Sequence, residues 1–485
     1  MKNDVLMYEN VYEILKDKIE SGRLPRGSRL PSRAELCKAF GTSEKSVRRA
    51  VELLADEGFV KTEKRKRPVV AFNPVAQPRK KAPPARGTGA FVTEDTLKTG
   101  VLLCFPLIAQ GLKLCQGDEW AVPQAIIDQM DPGQPVAFWR LSKRLWRFFV
   151  ARTGNALALR AVDCLGYTGI DPLSGTQEMR EGYLESIREL FECVRQGGSF
   201  ESIHFGDFSA LYDFVGMAEK KAESRSGSAL PVSKIDQKLT KAERYSSVYL
   251  DIISLIAVGY YKPGDRLPTH EALRKIYNVS VDTTVRAVQI LQEWGVVEAT
   301  PGKGIFVTMD LDGLKKLTIS PGMIASHVRR FLDSLELLSL TVEGVAVHAA
   351  ENASASEAQE LYDEIDRLWN RLYLYDLTPR VLLNFITEHI QYYAMRSIYG
   401  VIQKNQHVGR SIPNLVNPVK TAVNCELHEQ CMEAVGFLME GRPRDFARKA
   451  TEMFDHTREL VIGECRRLGY WEAAMAVYDG DLLWK

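Results

Sequence analysis

Two groups of basic side chains near the N-terminus have the types and the spacing to contact nucleic acid. Lys45, Arg48 and Arg49 lie off the apolar stripe of one predicted helix, and Lys64 to Arg67 place four positive charges in a row. An arginine on the outward face of a helix can bond the O6 and N7 atoms of guanine in the major groove. A basic cluster at a hairpin tip can reach phosphates or the minor groove. The alternative is that these charges only solvate the surface.

Three predicted helices and a hairpin position these side chains. The first helix ends at Gly22, a common helix-terminating residue type. Ser32 and Glu35 form a capping box at the start of the second helix, and Ser43 caps the third. The buried face of the third helix has the spacing i, i+3, i+4, i+7 and consists of Val47, Ala50, Val51 and Leu54. Two short strands, 59–60 and 69–72, then enclose the basic tip, so the order of elements is that of a winged helix.

The same pattern occurs twice in the chain, at an offset of 237 residues. The segment Ile19 to Leu36 matches Ile256 to Leu273, and an ungapped match across two turns indicates an internal duplication. In the second copy Thr269 and Ser280 cap the second and third helices. The turn 301–304 joins the two strands of the second hairpin. Pairs that share the offset are Gly22 and Gly259, Gly27 and Gly264, Pro31 and Pro268, Ala50 and Ala287, and Gly58 and Gly295.

Length and composition favour a multidomain protein. The chain has 485 residues, whereas single cores stop growing at roughly 250 to 300.

No apolar run approaches the roughly 20 residues that span a bilayer and no secretory signal pattern is present, which favours a cytoplasmic location. The eight cysteines contain no C-x-x-C pair, which favours reduced thiols. Residues 1–81 carry a net charge of +8 and the remaining 404 carry −7, so nucleic-acid contact is expected at one end.

The predicted fold class is mainly α, with two winged helix-turn-helix domains alternating with two all-helical bundle domains. Pro-, Ala- and Lys-rich composition marks one linker, and Ser-rich composition marks a second. The predicted boundaries are a winged helix at 1–72, a linker at 73–90, a helical domain at 91–223, a linker at 224–242, a second winged helix at 243–309 and a second helical domain at 310–485.

The motifs of both copies resemble the winged-helix domain of GntR-type regulators. The resemblance rests on G-x-L-x-x-G-x-R-L-P-S from Gly22, S-x-x-x-V-R-x-A from Ser43, and the wing P-G-K-G-I-F-V from Pro301. It implies that the domain binds operator DNA, that Arg48 reads a base and that Arg33 contacts a phosphate. The residues predicted to contact DNA are Arg33, Ser43, Lys45, Ser46, Arg48, Arg49, Lys64, Arg65, Lys66, Arg67, His270, Thr283, Thr284, Arg286 and Lys303.

The second copy departs from this pattern in its third helix. Val285, Asp282 and His270 stand where the first copy has basic residues, and only Arg286 keeps a basic type. From Glu243 to Met309 seven basic and seven acidic residues cancel. Two interpretations stay open. The second copy either reads a weaker half-site through Thr283, Thr284 and Arg286, or it has become a packing module.

The helical blocks resemble the ligand-binding domain of the fatty-acid-responsive GntR subfamily. The resemblance rests on a helix over 138–165 broken at Gly154 and on the segment Val342 to Leu368. Members of that subfamily often hold a metal through one aspartate and three histidines. The resemblance therefore implies a divalent metal near His389, His428 and His456. The expected aspartate position is Phe385 here. A small organic effector in the bundle is the favoured ligand.

The predicted function is a sequence-specific transcription regulator that binds double-stranded DNA, responds to an effector and has two unequal reading modules. Repressor and activator roles both stay open. A covalent pseudo-dimer is favoured over a homodimer, because one chain already holds two winged helices. The alternatives are a protein-interaction scaffold and a pyridoxal-phosphate fusion enzyme. The enzyme is disfavoured because the second winged helix leaves too little chain for it and no nucleotide-binding, zinc-protease or hydrolase motif occurs.

Overall fold

A computed structural model of the chain describes residues 2–40, 42–64, 66–73, 94–165, 176–196, 235–236, 241–257, 259–317, 319–371, 377–411 and 420–479. The chain divides into two compact units, and each contains one of the two predicted winged helices. The first unit consists mainly of Met1–Asp236 with the short segment Tyr392–Ile398, and the second of Gln237–Gln391 with Tyr399–Leu482.

The first winged helix, which we call the first module, has the predicted order of elements. Its helices are α1 (Lys2–Glu20), α2 (Arg33–Phe40) and α3 (Glu44–Asp56), and its antiparallel strands are β1 (Val60–Lys61) and β2 (Val69–Val70). Val60 pairs with Val70. The strands are shorter than predicted. Beyond them Phe59 O accepts backbone hydrogen bonds from both Ala71 N at 2.8 Å and Phe72 N at 3.1 Å, and the rings of Phe59 and Phe72 stack with centroids 4.9 Å apart.

The first module has a closed hydrophobic core. The buried members come from all three helices and the hairpin, and the partly buried residues packed against them lie in the same segment of the chain. The apolar stripe predicted for α3 is confirmed, since each of its members is at most 6% exposed. The capping box is also confirmed: Ser32 N donates to Glu35 Oε2 at 2.6 Å, and Glu35 N donates to Ser32 Oγ at 3.2 Å.

Five helices follow in the described part of the first unit. They are α4 (Glu94–Leu114), α5 (Ala121–Asp128), α6 (Pro135–Arg152), α7 (Ala156–Leu165) and α8 (Gln177–Arg195), with a short 3₁₀ turn at Gly117–Trp120. The predicted break at Gly154 is confirmed, since this glycine has a φ of +71° between α6 and α7. Helices α4 and α6 pack closely at Gly111, where a Cβ would lie 2.0 Å from the carbonyl oxygen of Phe149.

The second winged helix, the second module, repeats the first. Its helices are α9 (Lys241–Ala257), α10 (His270–Tyr277) and α11 (Val281–Glu293), and its strands are β3 (Val297–Thr300) and β4 (Gly304–Val307). The predicted caps are confirmed, because Thr269 and Ser280 accept backbone hydrogen bonds at the starts of α10 and α11. The turn between the strands holds Gly302 at a φ of +75° and Gly304 at +125°, conformations that favour glycine.

The described residues after the second module form eight helices and the turns between them. The helices are α12 (Leu311–Lys316), α13 (Pro321–Glu351), α14 (Ala355–Trp369), α15 (Thr378–Glu388), α16 (Tyr393–Ser411), α17 (Ala422–Met439), α18 (Pro443–Arg467) and α19 (Tyr470–Asp479). The core of the second module is continuous with these helices. One cluster of buried side chains joins α9 and α11 to Phe331 and Leu335 of α13, Cys465 of α18 and Tyr470 of α19.

The predicted fold class is therefore confirmed: the chain is mainly α, with two small antiparallel hairpins in the described residues. Most of the two predicted linkers lies outside the described residues, and so does Arg65. No helix in the described ranges combines the length and hydropathy needed to cross a membrane. All eight cysteines are free thiols.

Candidate nucleic-acid interface

Ser43 fixes the start of α3. Its Oγ accepts a hydrogen bond from Ser46 N at 3.3 Å and lies 3.1 Å from Ser46 Oγ. Ser46 is turned inward by this pairing, with 2% of the residue exposed. The prediction that Ser46 contacts DNA is therefore wrong, because its hydroxyl serves the helix cap. Ser43 is exposed and stays a candidate.

The outward face of α3 carries three exposed basic side chains, Lys45, Arg48 and Arg49. Arg48 Nε and Arg49 Nη1 each lie 3.6 Å from a carboxylate oxygen of Glu52, and 59% and 54% of the two arginine side chains are exposed. Exposed ion pairs of this kind contribute about 0–1 kcal/mol. Glu52 therefore orients the two guanidinium groups without locking them, and both can move onto a base edge or a phosphate.

Arg33 extends the basic face to the first turn of α2. Its Nη1 lies 3.5 Å from Glu44 Oε1 at the start of α3, and 57% of the Arg33 side chain is exposed. The side chain thus lies over the turn between the two helices. In a helix-turn-helix, side chains at this edge contact the DNA backbone rather than the bases.

The tip of the first hairpin carries the exposed side chains of Lys64, Lys66 and Arg67. Lys66 Nζ pairs with Glu63 Oε2 at 2.7 Å, and Arg67 Nη2 lies 3.7 Å from Glu35 Oε2. Glu35 is the capping-box carboxylate, and its hydrogen bonds from Ser32 hold its pKa below the usual range. The side chain of Arg67 therefore lies beside the first turn of α2.

Backbone hydrogen bonds on both sides hold strand β2. One edge pairs with β1, while the other meets the turn before α2: Gly27 N donates to Val70 O at 2.9 Å, and Leu30 N donates to Pro68 O at 2.8 Å. Gly27 has a φ of +92°, a conformation that favours glycine. The wing is thereby fixed relative to the helices, so its basic tip and the face of α3 keep a defined relation.

The second module presents a different outward face on α11. Val285 is partly exposed, Asp282 and Arg286 are exposed, and 41% of Val281 is exposed. Arg286 Nη1 lies 3.4 Å from Glu293 Oε1. This face therefore has one arginine beside acidic and apolar neighbours, whereas α3 has three basic side chains. Lys303 is exposed in the turn between β3 and β4.

Thr283 and Thr284 do not lie on that outward face, and their prediction as DNA-reading residues is wrong. Thr283 is 9% exposed and Thr284 is fully buried. Thr284 Oγ1 donates to Val281 O at 2.8 Å and lies 3.1 Å from His270 Nδ1. Thr284 is equivalent, across the duplication, to the core residue Val47 of the first module, so it faces the interior of the second module. His270 is partly buried beside it.

The three histidines predicted to bind a metal do not converge. His389 Nε2 lies 3.3 Å from Glu357 Oε1, His456 Nδ1 lies 3.7 Å from Glu426 Oε1, and His428 stacks on Trp369. Within the described ranges, which include all three histidines, no group of three or more histidine, cysteine, aspartate or glutamate side chains could hold a metal. The resemblance-based metal site is thus corrected, because each imidazole has a separate partner.

Sequence reasoning missed the contacts that attach the first module to α6. Arg147 Nη2 lies 2.9 Å from Asp17 Oδ1 and 2.8 Å from Asp163 Oδ2, and Arg147 Nη1 also pairs with Glu20. Asp17 and Glu20 lie on α1 and Asp163 lies on α7. No local signal marks this cluster, because Asp17 and Glu20 are more than a hundred residues from Arg147 in the chain.

Two winged helix-turn-helix domains are therefore present, and comparison with known families agrees on both. Residues 7–70 and 244–307 each match the family described as bacterial regulatory proteins, gntR family. The chain thus carries two GntR-family helix-turn-helix domains in tandem.

Named proteins share part of this sequence. A protein described as an HTH-type transcriptional regulator, RmpR of Mycobacterium gastri, is 30% identical over 135 residues, which are 27% of this chain and 48% of that protein. The HTH-type transcriptional regulator LutR of Bacillus subtilis (strain 168) is 28% identical over 116 residues, 24% of this chain and 52% of LutR. The chain thus spans about half the length of these two relatives.

Among solved structures, Streptococcus agalactiae GntR is 19% identical and aligns with 44% of this chain and 99% of its own, with a TM-score of 0.23.

Proposed function

We propose that the protein is a sequence-specific DNA-binding transcription regulator whose first module is the principal reader. The observation that carries this is the outward face of α3, where Lys45, Arg48 and Arg49 are exposed while the opposite face is buried in the core. A helix of this kind fits the major groove, and an arginine can bond guanine O6 and N7. Membership of both modules in the GntR family supports the proposal.

The two modules read DNA unequally in this proposal. In the second module the candidates that stay exposed are Arg286 and Lys303, and Arg286 lies beside Glu293. Lys303 can contact a phosphate, which adds affinity without sequence information. Two exposed apolar residues of the second module, Ile276 on α10 and Val281 on α11, are 62% and 41% exposed and favour a protein contact as its second candidate role.

One chain supplies both halves of the DNA-binding protein in this proposal, as a covalent pseudo-dimer. Each compact unit contains one winged helix followed by helices, which is the content of one subunit in a twofold regulator. The operator is then asymmetric, with a strong half for the first module and a weak half for the second. The helical blocks bind a small-molecule effector, and double-stranded DNA is the macromolecular partner. No catalytic activity is part of the proposal.

The test is selection of bound sequences from random double-stranded DNA by the intact chain and by three variants. We expect Arg48→Ala to lose preference at one guanine, a discrimination of about 1–3 kcal/mol or roughly 5- to 150-fold. Arg286→Ala should change the selected sequence little. Arg188→Ala, an exposed arginine of α8, is the matched control for loss of one charge.

An Arg48→Ala protein that selects the same sequences as the intact chain would overturn the assignment of α3 as the reader. A large change in Arg286→Ala would instead show that the second module reads bases. Light scattering of the free chain and footprinting of its complex test the pseudo-dimer. A stable dimer of chains on a perfect palindrome would contradict it.

A further inference from the structure

Glu44 is the first residue of α3 and follows the cap residue Ser43 directly. Its side chain is 72% exposed. Glu44 stands four residues before Arg48, and residues four apart on a helix are neighbours on the same face. In a helix-turn-helix, the N-terminal residues of the second helix contact base edges in the major groove. The carboxylate of Glu44 therefore lies in the part of α3 that is best placed to meet bases.

An ion pair with α2 orients this carboxylate. Glu44 Oε1 lies 3.5 Å from Arg33 Nη1, while Arg48 pairs with Glu52 on the other side, one turn further along α3. A guanidinium group has five N–H donors, so Arg33 can face Glu44 and still donate to a phosphate. The positive charge of Arg33 thus offsets the repulsion between the Glu44 carboxylate and the phosphates of a bound duplex.

The second module has replaced both members of this ion pair. At the offset of 237 residues, His270 stands for Arg33 and Val281 stands for Glu44. His270 Nδ1 lies 3.1 Å from Thr284 Oγ1 instead. Helix α11 nevertheless begins at Val281 after a serine cap of the same type. The start of the helix therefore does not require a carboxylate at this position, which leaves the Glu44 side chain available for another role.

We propose that Glu44 determines specificity by accepting a hydrogen bond from N4 of a cytosine, within about two base pairs of the guanine assigned to Arg48; this rests on the proposed function of the first module. Four residues of α-helix cover about 6 Å, and base pairs repeat about every 3.4 Å. Cytosine presents an N4 donor in the major groove, whereas guanine O6 and N7 and thymine O4 are acceptors that repel a carboxylate. Since Glu44 also repels phosphates, it lowers affinity for DNA in general and increases discrimination between sequences.

The test selects bound sequences from random double-stranded DNA with the intact chain, Glu44→Gln and Glu44→Ala. We expect the intact chain to prefer cytosine at one position by roughly fivefold or more. Glutamine bonds N6 and N7 of adenine, so Glu44→Gln should replace that cytosine by adenine. Alanine can make neither contact. Glu44→Ala should therefore lose the preference at that position and bind random-sequence DNA more tightly than the intact chain, because a repelling charge is removed.

Glu189→Gln, an exposed glutamate of α8, is the matched control for loss of one carboxylate and should select the same sequence as the intact chain. Thermal unfolding of each variant separates base reading from a structural role. A carboxylate in the first turn also stabilises a helix through its dipole, and that role alone predicts a lower Tm with an unchanged base preference.

The assignment of Glu44 is overturned if Glu44→Gln selects the same base as the intact chain at every position, or if Glu44→Ala loses affinity for all sequences. A selected sequence that depends on Arg48 and not on Glu44 overturns the role of Glu44 alone. An intact chain that selects no sequence contradicts the proposed function itself, and the role of Glu44 with it.

Discussion

The ionic cluster around Arg147 gives the sharpest prediction for stability. Three carboxylates, Asp17, Glu20 and Asp163, share this one guanidinium group, whose side chain is 19% exposed. The cluster therefore has an excess of negative charge when every carboxylate is ionised. Burial raises the pKa of Asp17 from 3.8 to about 7, although Arg147 opposes the shift. Other charged groups close to Glu20 are Lys16 and Arg144.

The sign follows from the raised pKa. Below about pH 4 Asp17 is protonated in both the folded and the unfolded chain. As the pH rises toward 7, the unfolded chain releases this proton and the folded chain retains it, so the free energy of unfolding falls. Between about pH 4 and pH 7 the free energy of unfolding falls by at most about 1.4 kcal/mol for each pH unit. The largest possible loss between pH 5 and pH 8 is therefore about 3 kcal/mol, because the titration is complete near pH 7. Because 31% of the Asp17 side chain is exposed, we expect about 1.5 kcal/mol.

Asp17→Asn removes this titration and keeps the shape of the protonated acid. The variant should become more stable relative to the wild type as the pH rises. The Tm of the variant minus that of the wild type should be about 3 to 6 °C more positive at pH 8 than at pH 5. Differential scanning calorimetry of the full chain measures it, with Asp56→Asn, an exposed aspartate at the end of α3, as control. An equal difference in Tm at both pH values would refute the reasoning.

Two other predictions concern the wing and the helix packing of the first unit. Replacing Lys64 to Arg67 with alanine should weaken binding to every DNA sequence. In a salt titration, the slope of the logarithm of affinity against the logarithm of salt concentration should fall in magnitude by about one unit for each lost phosphate contact. An unchanged slope would exclude the wing from the interface. Gly111→Ala should lower the Tm by several degrees, an overpacking cost of about 1–3 kcal/mol, because its Cβ meets the backbone of Phe149, while Gly182→Ala on α8, with open space around it, should not.

Features set by neighbouring residues could be predicted from the sequence. The capping box of Ser32 and the caps at Ser43 and Ser280 depend on a side chain and a backbone N–H three residues away, so the local pattern contains all the information. The duplication supports each of these predictions, because equivalent capping residues such as Ser43 and Ser280 occur in both copies. The winged helices and their order were predictable for this reason.

The error at Thr284 was also avoidable from the sequence. Thr284 stands i+3 and i+4 before Ala287 and Val288, which places it on the buried stripe of α11 and not on the outward face. Its hydroxyl suggested a polar contact, but helix phase decides which way a side chain points. The separate partners of His389, His428 and His456 had no such signal, because they depend on packing between helices that are distant in the chain.

The duplicated motif forms two physically different objects, and no local pattern distinguishes them. The first module closes its own core within residues 8–72, and ion pairs and hydrogen bonds join it to α6, including Arg23 Nη2 to Arg152 O at 3.1 Å. The second module shares one continuous core with α13, α18 and α19. A change among those helices therefore reaches the second module through packed side chains, which transmit strain because interiors have low compressibility. A change in the helices of the first unit reaches the first module through these ion pairs and hydrogen bonds and through the packing of Phe148 against Gly22. The module with the basic reading face is thus joined to its own helices largely through an ionic cluster around Arg147, whereas the second module is joined to its helices through a continuous apolar core.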